Sequence, residues 1–99
     1  MRFNHYGVIG EIDSLPGCSQ VAVFHSVFNP GEKAKGVGRI AHDARLHEAH
    51  QLGYDAAMCT VNMENIPQLR ILEKAGWKNV HSFKSIKTGH TVGIFVKEI

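Results

Sequence analysis

Hydrophobic and polar positions divide the chain into short apolar runs and one long segment of helical composition. Residues 3–12 and 20–28 are rich in apolar side chains and predict two strands. Between them, Pro16-Gly17 favours a tight reversal. Residues 38–52 contain no proline and mostly good helix formers, so they predict the first helix, with Gly53 suited to a left-handed cap. Residues 56–61 then predict a third strand.

The second half of the chain adds one helix and one hairpin. Asn65 can cap a helix and Pro67 is tolerated in its first turn, so a second helix is predicted over residues 65–75. Residues 80–87 and 91–99 predict a closing hairpin. This order combines one crossover unit with antiparallel hairpins. It predicts an α+β fold with a mixed, mostly antiparallel sheet and two main helices.

Length and composition narrow the class of protein. The 99 residues, 43% hydrophobic and 20% charged, predict one globular domain over residues 1–99. A net charge of +2 does not form the basic stripe of a nucleic-acid-binding protein, so nucleic acid is not the expected partner. No apolar run approaches the ~20 residues of a membrane span, and no signal-peptide pattern is visible. Cys18 and Cys59 stand far apart, which predicts neither a disulfide framework nor a metal site and favours a reducing, cytoplasmic setting.

A basic, glycine-spaced loop lies between the second strand and the first helix: Lys33-Ala34-Lys35-Gly36-Val37-Gly38. Such a loop brings unpaired backbone N–H groups and the positive end of the helix to one point, which suits a phosphate. Gly36 and Gly38 have no Cβ to obstruct the approach of a ligand to the main chain. The loop therefore predicts an anion-binding site.

Two motifs at the right separation carry a family resemblance. The first motif is a proline followed by Arg or Gln–x–x–Gly–x–Gly or Ala, where the last residue opens a helix. In this chain the motif is represented by Pro30, Lys33, Gly36 and Gly38, with Lys33 in place of Arg or Gln. Farther on, Asn65 is followed by Leu72-Glu73-Lys74-Ala75-Gly76-Trp77, which is similar to Tyr-Glu-Lys-x-Gly-Phe. Over roughly residues 20–77, the chain resembles the GNAT superfamily of acyl-CoA-dependent N-acetyltransferases.

The resemblance implies an acetyltransferase that uses acetyl-CoA as co-substrate, needs no metal and acetylates an amine of a small molecule or a protein. It implies that strands 20–28 and 56–61 splay apart around the cofactor. The cofactor-binding residues that it implies are, for the pyrophosphate, Lys33, Ala34, Lys35, Gly36, Val37, Gly38 and Arg39; for the pantetheine and acetyl group, Ser26, Val27 and Phe28; and for the cofactor's flank, Asn65.

Departures from the family pattern bear on catalysis. The family's frequent general base, a Glu, falls at Ala22, and its usual general acid, a Tyr, falls at Leu72. Ser26 is a candidate for orienting the thiol or the acceptor, or else a small polar core residue. Direct attack of an amine on the thioester chiefly needs positioning and a deprotonated amine. A catalytically silent acyl-CoA-binding or protein-interaction module therefore stays a possible function. The acceptor site is either open and takes a large acceptor, or is completed by the second subunit of a homodimer.

Other polar and sulfur-containing residues fit structural roles better than chemical ones. His47 and His50 predict solvated helix surface rather than a metal site. Cys59 and Trp77 are expected in the core, with Cys59 an acyl carrier only if its pKa were lowered. The lysines of the closing hairpin predict a solvated face: Lys84, Lys87 and Lys97.

Overall fold

The sheet and its helices follow the predicted order, with one additional strand. In the computed structural model, residues 2–5, 8–24 and 37–99 are described. Within them lie six strands and two helices: β1 (Arg2–His5), β2 (Val8–Leu15), β3 (Cys18–Phe24), α1 (Val37–Gln51), β4 (Ala56–Asn62), α2 (Ile66–Lys74), β5 (Lys78–Lys84) and β6 (Thr91–Glu98). They form one sheet with the order β1-β2-β3-β4-β6-β5, in which β3 and β4 are parallel and all other neighbours antiparallel. The predicted α+β fold with a mixed, mostly antiparallel sheet is confirmed.

The single strand predicted over residues 3–12 is wrong, because two antiparallel strands occupy this part of the chain. β1 ends at His5, β2 begins at Val8, and Phe3 pairs with Gly10. The Phe3 ring lies 2.7 Å from the point that a Cβ of Gly10 would occupy, so this close packing requires glycine. The run of apolar residues hid the reversal, since both strands contribute apolar side chains.

The helix ends agree with the capping residues expected from the sequence. Gly53 follows α1 with φ +85° and donates its N–H to the carbonyl of His50 at 3.1 Å, as a left-handed cap does. Asn65 caps α2, where its side-chain oxygen accepts the N–H of Gln68 at 3.4 Å, and Pro67 lies in the first turn. Local side-chain chemistry therefore sets the limits of both helices.

The buried side chains share one face of the sheet, called here the helical face: Ile12, Ala22, Phe24, Ala57, Cys59, Val61 and Phe95. α1 covers this face, since the Arg45 guanidinium stacks 5.3 Å from the centre of the Phe24 ring. α2 lies on the same face, because the carbonyl of Ala75 just after it accepts a hydrogen bond of 2.6 Å from Lys97. Within the described residues, neither helix has the length and apolar character needed to cross a membrane.

Candidate functional site

Two parallel strands are neighbours at the middle of the sheet. β3 and β4 pair through Val21 with Ala56, Ala22 with Ala57, and Val23 with Met58. β3 continues to Phe24 and β4 to Asn62, but their pairing in the described part of the chain stops at Met58. β4 remains paired with β6 on its other side up to Asn62. The residues that would face positions 60–62 from the β3 side lie outside the described part of the chain.

The end of β3 is held in place by two ring contacts on the helical face. Phe24 packs edge-on against Trp77, with ring centres 5.8 Å apart, and carries Arg45 on its ring. Both contacts fix the last described residue of β3 against the core.

The first turn of α1 is suited to an anion. α1 begins at Val37, includes Gly38 and Arg39 in its first turn, and has no acidic residue there. The first N–H groups of a helix lack partners within the helix, and its dipole adds partial positive charge. A phosphate at this end would meet N–H donors without a competing carboxylate from the first turn.

A cationic cleft of about 250 Å³ continues from that turn between α1 and α2. Its lining residues are Arg39, His42, Asp43, Arg70, Ile71, Lys74 and Ala75. Three are cationic and one is a carboxylate, Asp43, which lies 4.0 Å from Arg39 with both side chains well exposed. Because exposed ion pairs are weak, Arg39 can exchange this contact for a phosphate.

His42 forms the inner wall of the cleft and is the residue that sequence reasoning missed. It is 2% exposed, and its Nε2 accepts the indole N–H of Trp77 at 2.9 Å while Nδ1 lies 3.0 Å from the carboxylate of Asp43. Burial lowers the pKa of His42, against the opposing effect of Asp43. The neutral ring with its proton on Nδ1 satisfies both contacts. In the sequence, a single histidine within a helix does not reveal a hydrogen-bond partner 35 residues away.

The predicted site residues fall into two groups. Ser26, Val27, Phe28, Lys33, Ala34, Lys35 and Gly36 lie outside the described residues. Val37, Gly38 and Arg39 form the first turn of α1, and Asn65 caps α2 just after the end of β4. α1 and α2 follow β3 and β4 along the chain, so the first turn of α1 and Asn65 belong to the end of the sheet at which these two parallel strands finish.

The two positions that depart from the family pattern are buried. Ala22 is 0% exposed and Leu72 is 1% exposed, and both belong to the core. Neither position can supply or accept a proton. Any proton transfer at this site must therefore use another group.

A histidine and a carboxylate are close together after the end of β4. His90 Nδ1 is 3.5 Å from Glu64, which follows β4, and His90 precedes β6 in the closing hairpin. A carboxylate beside an imidazole can orient the ring. The two side chains are candidates for proton transfer.

The remaining sulfur and basic residues are mostly structural. Cys59 is buried, and burial raises its pKa to about 11, which opposes a role as acyl carrier. Trp77 is in the core, as predicted, whereas Lys97 departs from the predicted solvated face because it bonds to Ala75. Among the described residues, no three His, Cys, Asp or Glu side chains are grouped as metal ligands would be.

Comparisons with known proteins identify the fold. No protein-family model matches the chain, and no curated protein matches its sequence. The ribosomal-protein-S18-alanine N-acetyltransferase of Escherichia coli matches in structure with a TM-score of 0.74 and 13% identity, over 94% of this chain and 61% of that one. The yncA protein of Salmonella typhimurium, solved with its cofactor acetyl-CoA, matches with a TM-score of 0.75 and 15% identity, over 93% and 57%. A NatC complex solved with Gag peptide and CoA matches with a TM-score of 0.76 and 11% identity, over 93% of this chain and 59% of that one.

At these identities the likeness shows the fold. The chain has the fold of the GNAT N-acetyltransferases, as its motifs predicted. It spans about three fifths of the length of the solved structures, between 57% and 61% of the three named above.

Proposed function

We propose that this chain binds acetyl-CoA and transfers the acetyl group to an amine acceptor. The observation that carries the proposal is the parallel pair β3 and β4, joined by α1, whose first turn contains Gly38 and Arg39 and no acidic residue. A linear ligand with a diphosphate at one end and hydrogen-bonding amides along its length fits that arrangement. Backbone groups of the splayed strands can bond the amides while helix N–H groups bond the phosphates.

We assign three parts of the ligand to three parts of the site. Ser26, Val27 and Phe28, which continue β3, line the pantetheine and acetyl group. The pyrophosphate lies against the loop from Lys33 to Gly38, with Arg39 beside it. Asn65 flanks the cofactor from the start of α2.

The cationic cleft supplies a place for the third phosphate of the ligand. Arg39, Arg70 and Lys74 line it together, and it opens next to the helix end that we assign to the pyrophosphate. Arginine side chains offer several N–H donors to a phosphate, and lysine adds a positive charge. We therefore assign the 3′-phosphate of the adenosine to this cleft.

The transfer itself needs no covalent enzyme intermediate. The amine nitrogen attacks the thioester carbonyl carbon, a C–N bond forms, and the C–S bond breaks to release the thiolate. The amine loses one proton and the thiolate gains one. Because Ala22 and Leu72 cannot take part, we assign proton removal to the pair of His90 and Glu64, directly or through water.

Calorimetry with acetyl-CoA tests the binding half of the proposal. The double variant Gly36→Val and Gly38→Val should weaken affinity by about tenfold or more, ~1.4 kcal/mol, since added side chains would block the approach to the main chain. Ser19→Val, at the far exposed end of β3, is the matched control and should bind as the unmodified protein does. No affinity for acetyl-CoA at millimolar concentration would refute the proposal.

Release of free thiol with a panel of amines and peptides tests turnover. His90→Gln should slow acceptor-dependent release by about tenfold or more, in the range of general base catalysis. His81→Gln, an exposed histidine on the neighbouring strand, is the control. Unchanged release by His90→Gln would remove this residue from the mechanism without affecting the assignment of the cofactor.

A second candidate function is an acyl-CoA-binding or protein-interaction module without turnover. The burial of Ala22 and Leu72 favours it, because both family positions for proton transfer are enclosed in the core. Acetyl-CoA binding without acceptor-dependent thiol release would support this function over the transferase.

We also propose a reducing, cytoplasmic compartment. Cys18 and Cys59 are both free, and Cys59 lies in the core. Free thiols of this kind persist where disulfides are kept reduced.

A further inference from the structure

The sheet face opposite the helices is apolar at its centre. We call it the open face, formed by partly buried or exposed side chains of the three middle strands: Val21, Val23, Met58, Thr60, Val92, Ile94 and Val96. None of them belongs to the core cluster. Both described helices lie on the helical face, so no described helix covers the open one. A contiguous apolar surface of this kind marks an interaction site.

The strand registers align one row of the open face across five strands. Asp13 on β2 pairs with Val23 on β3, and Val23 pairs with Met58 on β4. Met58 pairs with Val96 on β6, which pairs with Lys78 on β5. The row therefore has a carboxylate at one end, an ammonium group at the other, three apolar side chains between them, and Met58 at its centre.

Side-chain alternation places further residues of the two border strands on this face. In matching order they are Asp13, Glu11 and Ile9 on β2, and Lys78, His81 and Phe83 on β5. The first row thus offers a carboxylate and an ammonium group, the second a carboxylate and an imidazole, and the third two apolar side chains.

We propose that the open face is the interface of a homodimer, with a twofold axis running along β4. This axis reverses the strand order of the second copy, so that its β5 lies opposite β2 of the first. Asp13 of each copy then meets Lys78 of the other, Val23 meets Val96, and Met58 meets its own counterpart. Face-to-face sheets pack with nearly aligned strands, which this axis preserves.

The carboxylates at the border have partners within their own chain and can still serve the dimer. Glu11 is the strand partner of Arg2 on β1, and Asp13 already interacts with another residue of the same chain. A carboxylate accepts several hydrogen bonds, so the contact with the other copy is an additional one.

Pairing through the free edge of β5 is the competing arrangement, and β5 is built against it. Two antiparallel β5 strands centred on His81 would place Lys78 opposite Lys84. A bulge between Asn79 and His81 also interrupts the strand, and the side chain of Asn79 closes it by donating to the carbonyls of His81 and Ile94 at 3.0 and 3.1 Å. Lysines and bulges of this kind protect edges from pairing.

The size of the open face sets the expected strength. Five strands about 4.8 Å apart give a width of about 19 Å, and a face of this width and similar length covers about 400 Å² per copy, less than a standard-size interface. We therefore expect weak association, between micromolar and millimolar, measurable by sedimentation from about 1 µM to 1 mM.

Sedimentation of variants tests the face. Met58→Glu brings two carboxylates together at the axis and should give a monomer throughout that range. Ile40→Glu, on an exposed apolar side chain of α1, is the matched control and should dimerise as the unmodified protein does. A monomeric unmodified protein, or a Met58→Glu variant that still dimerises, would overturn the proposal.

Charge reversal tests the orientation of the two copies. Asp13→Lys and Lys78→Asp should each weaken the dimer, by about fivefold or more for two lost contacts. The double variant should recover most of the affinity, because the charges are exchanged rather than lost. Additive weakening in the double variant would exclude the proposed axis.

Cross-linking tests the axis directly, in a Cys18→Ser background that leaves the buried Cys59 as the native thiol. Thr60→Cys lies on β4 and faces its own counterpart across sheets about 10 Å apart, so a short bis-maleimide should join the two copies. Phe83→Cys lies on β5, two strands or about 10 Å to the side of β4. Its counterpart in the other copy is therefore displaced by about 19 Å along the width of the face, and the two should not cross-link. Cross-linking at Phe83 but not at Thr60 would contradict the proposed packing.

Discussion

His42 joins the first helix to the core through both of its ring nitrogens. The ring accepts a hydrogen bond from Trp77 and lies within hydrogen-bonding distance of Asp43, at the inner wall of the cleft. The contact with Trp77 requires an unprotonated Nε2, because the indole N–H can only donate. One protonation state of one side chain therefore holds α1 against the residue that follows α2.

Stability should consequently fall in mild acid. Burial lowers the pKa of His42 below its ordinary value of 6.5, so the unfolded chain takes up this proton more readily than the folded one. The contribution of His42 is complete above pH 6.5 and is lost as the pH falls through the lowered pKa. Urea denaturation at a series of pH values checks this dependence.

His42→Gln supplies the matched comparison. Its amide oxygen can still accept the N–H of Trp77, but the side chain does not titrate. The decline in unfolding free energy between pH 7 and 5 should be smaller in this variant than in the unmodified protein. An equal decline in both would assign the pH dependence to other groups.

At the scale of elements, Asn65 has a structural contact and a proposed ligand contact that can be separated. Its side chain caps α2, and Asn65→Ala should cost about 1 kcal/mol of unfolding free energy. Asn65→Ser keeps a capping oxygen and should stay within a few tenths of a kcal/mol of the unmodified protein. Reduced acetyl-CoA affinity in Asn65→Ser would then report the cofactor contact, while unchanged affinity would leave only the cap.

The cleft between α1 and α2 predicts that the protein prefers a ligand with a 3′-phosphate. If Arg70 and Lys74 bind the 3′-phosphate, acetyl-CoA should bind about tenfold or more tightly than acetyl-dephospho-CoA, in line with charge-assisted hydrogen bonds. Arg70→Ala should reduce this preference, and Lys87→Ala in the exposed hairpin should not. Calorimetry with both ligands gives the ratio. An Arg70→Ala variant with the full preference would place the 3′-phosphate elsewhere.

Elements whose limits depend on neighbouring residues were predictable from the sequence. Asn65, Pro67 and Gly53 act through contacts within a few residues, and each marks a helix end in the structure. The reversal between β1 and β2 was not predictable from the sequence. The glycine at position 10 is required by the packing of Phe3, which lies on another strand. His42 and Trp77 were missed as a pair for the same reason.

At the scale of the whole molecule, the order of elements and two separated motifs predicted the fold, which the solved structures share. The opening between β3 and β4 is implied by the resemblance and stays a prediction, because residues 25–36 lie outside the described part of the chain. The two faces of the sheet could not be predicted, since they follow from register across five strands. That residues 1–99 form one domain remains a prediction of their length and composition.

The sheet separates the two proposed sites, and this separation predicts that they act independently. α1, α2 and the cleft lie on the helical face, whereas the proposed dimer contact lies on the open face. Lys78→Asp should therefore weaken association while changing acetyl-CoA affinity less than twofold. Calorimetry above and below the dimer dissociation constant supplies the same comparison without a mutation. Affinity that depends on protein concentration would mean that the second copy contributes to the cofactor site, and the interface would then have to reach the opening between β3 and β4.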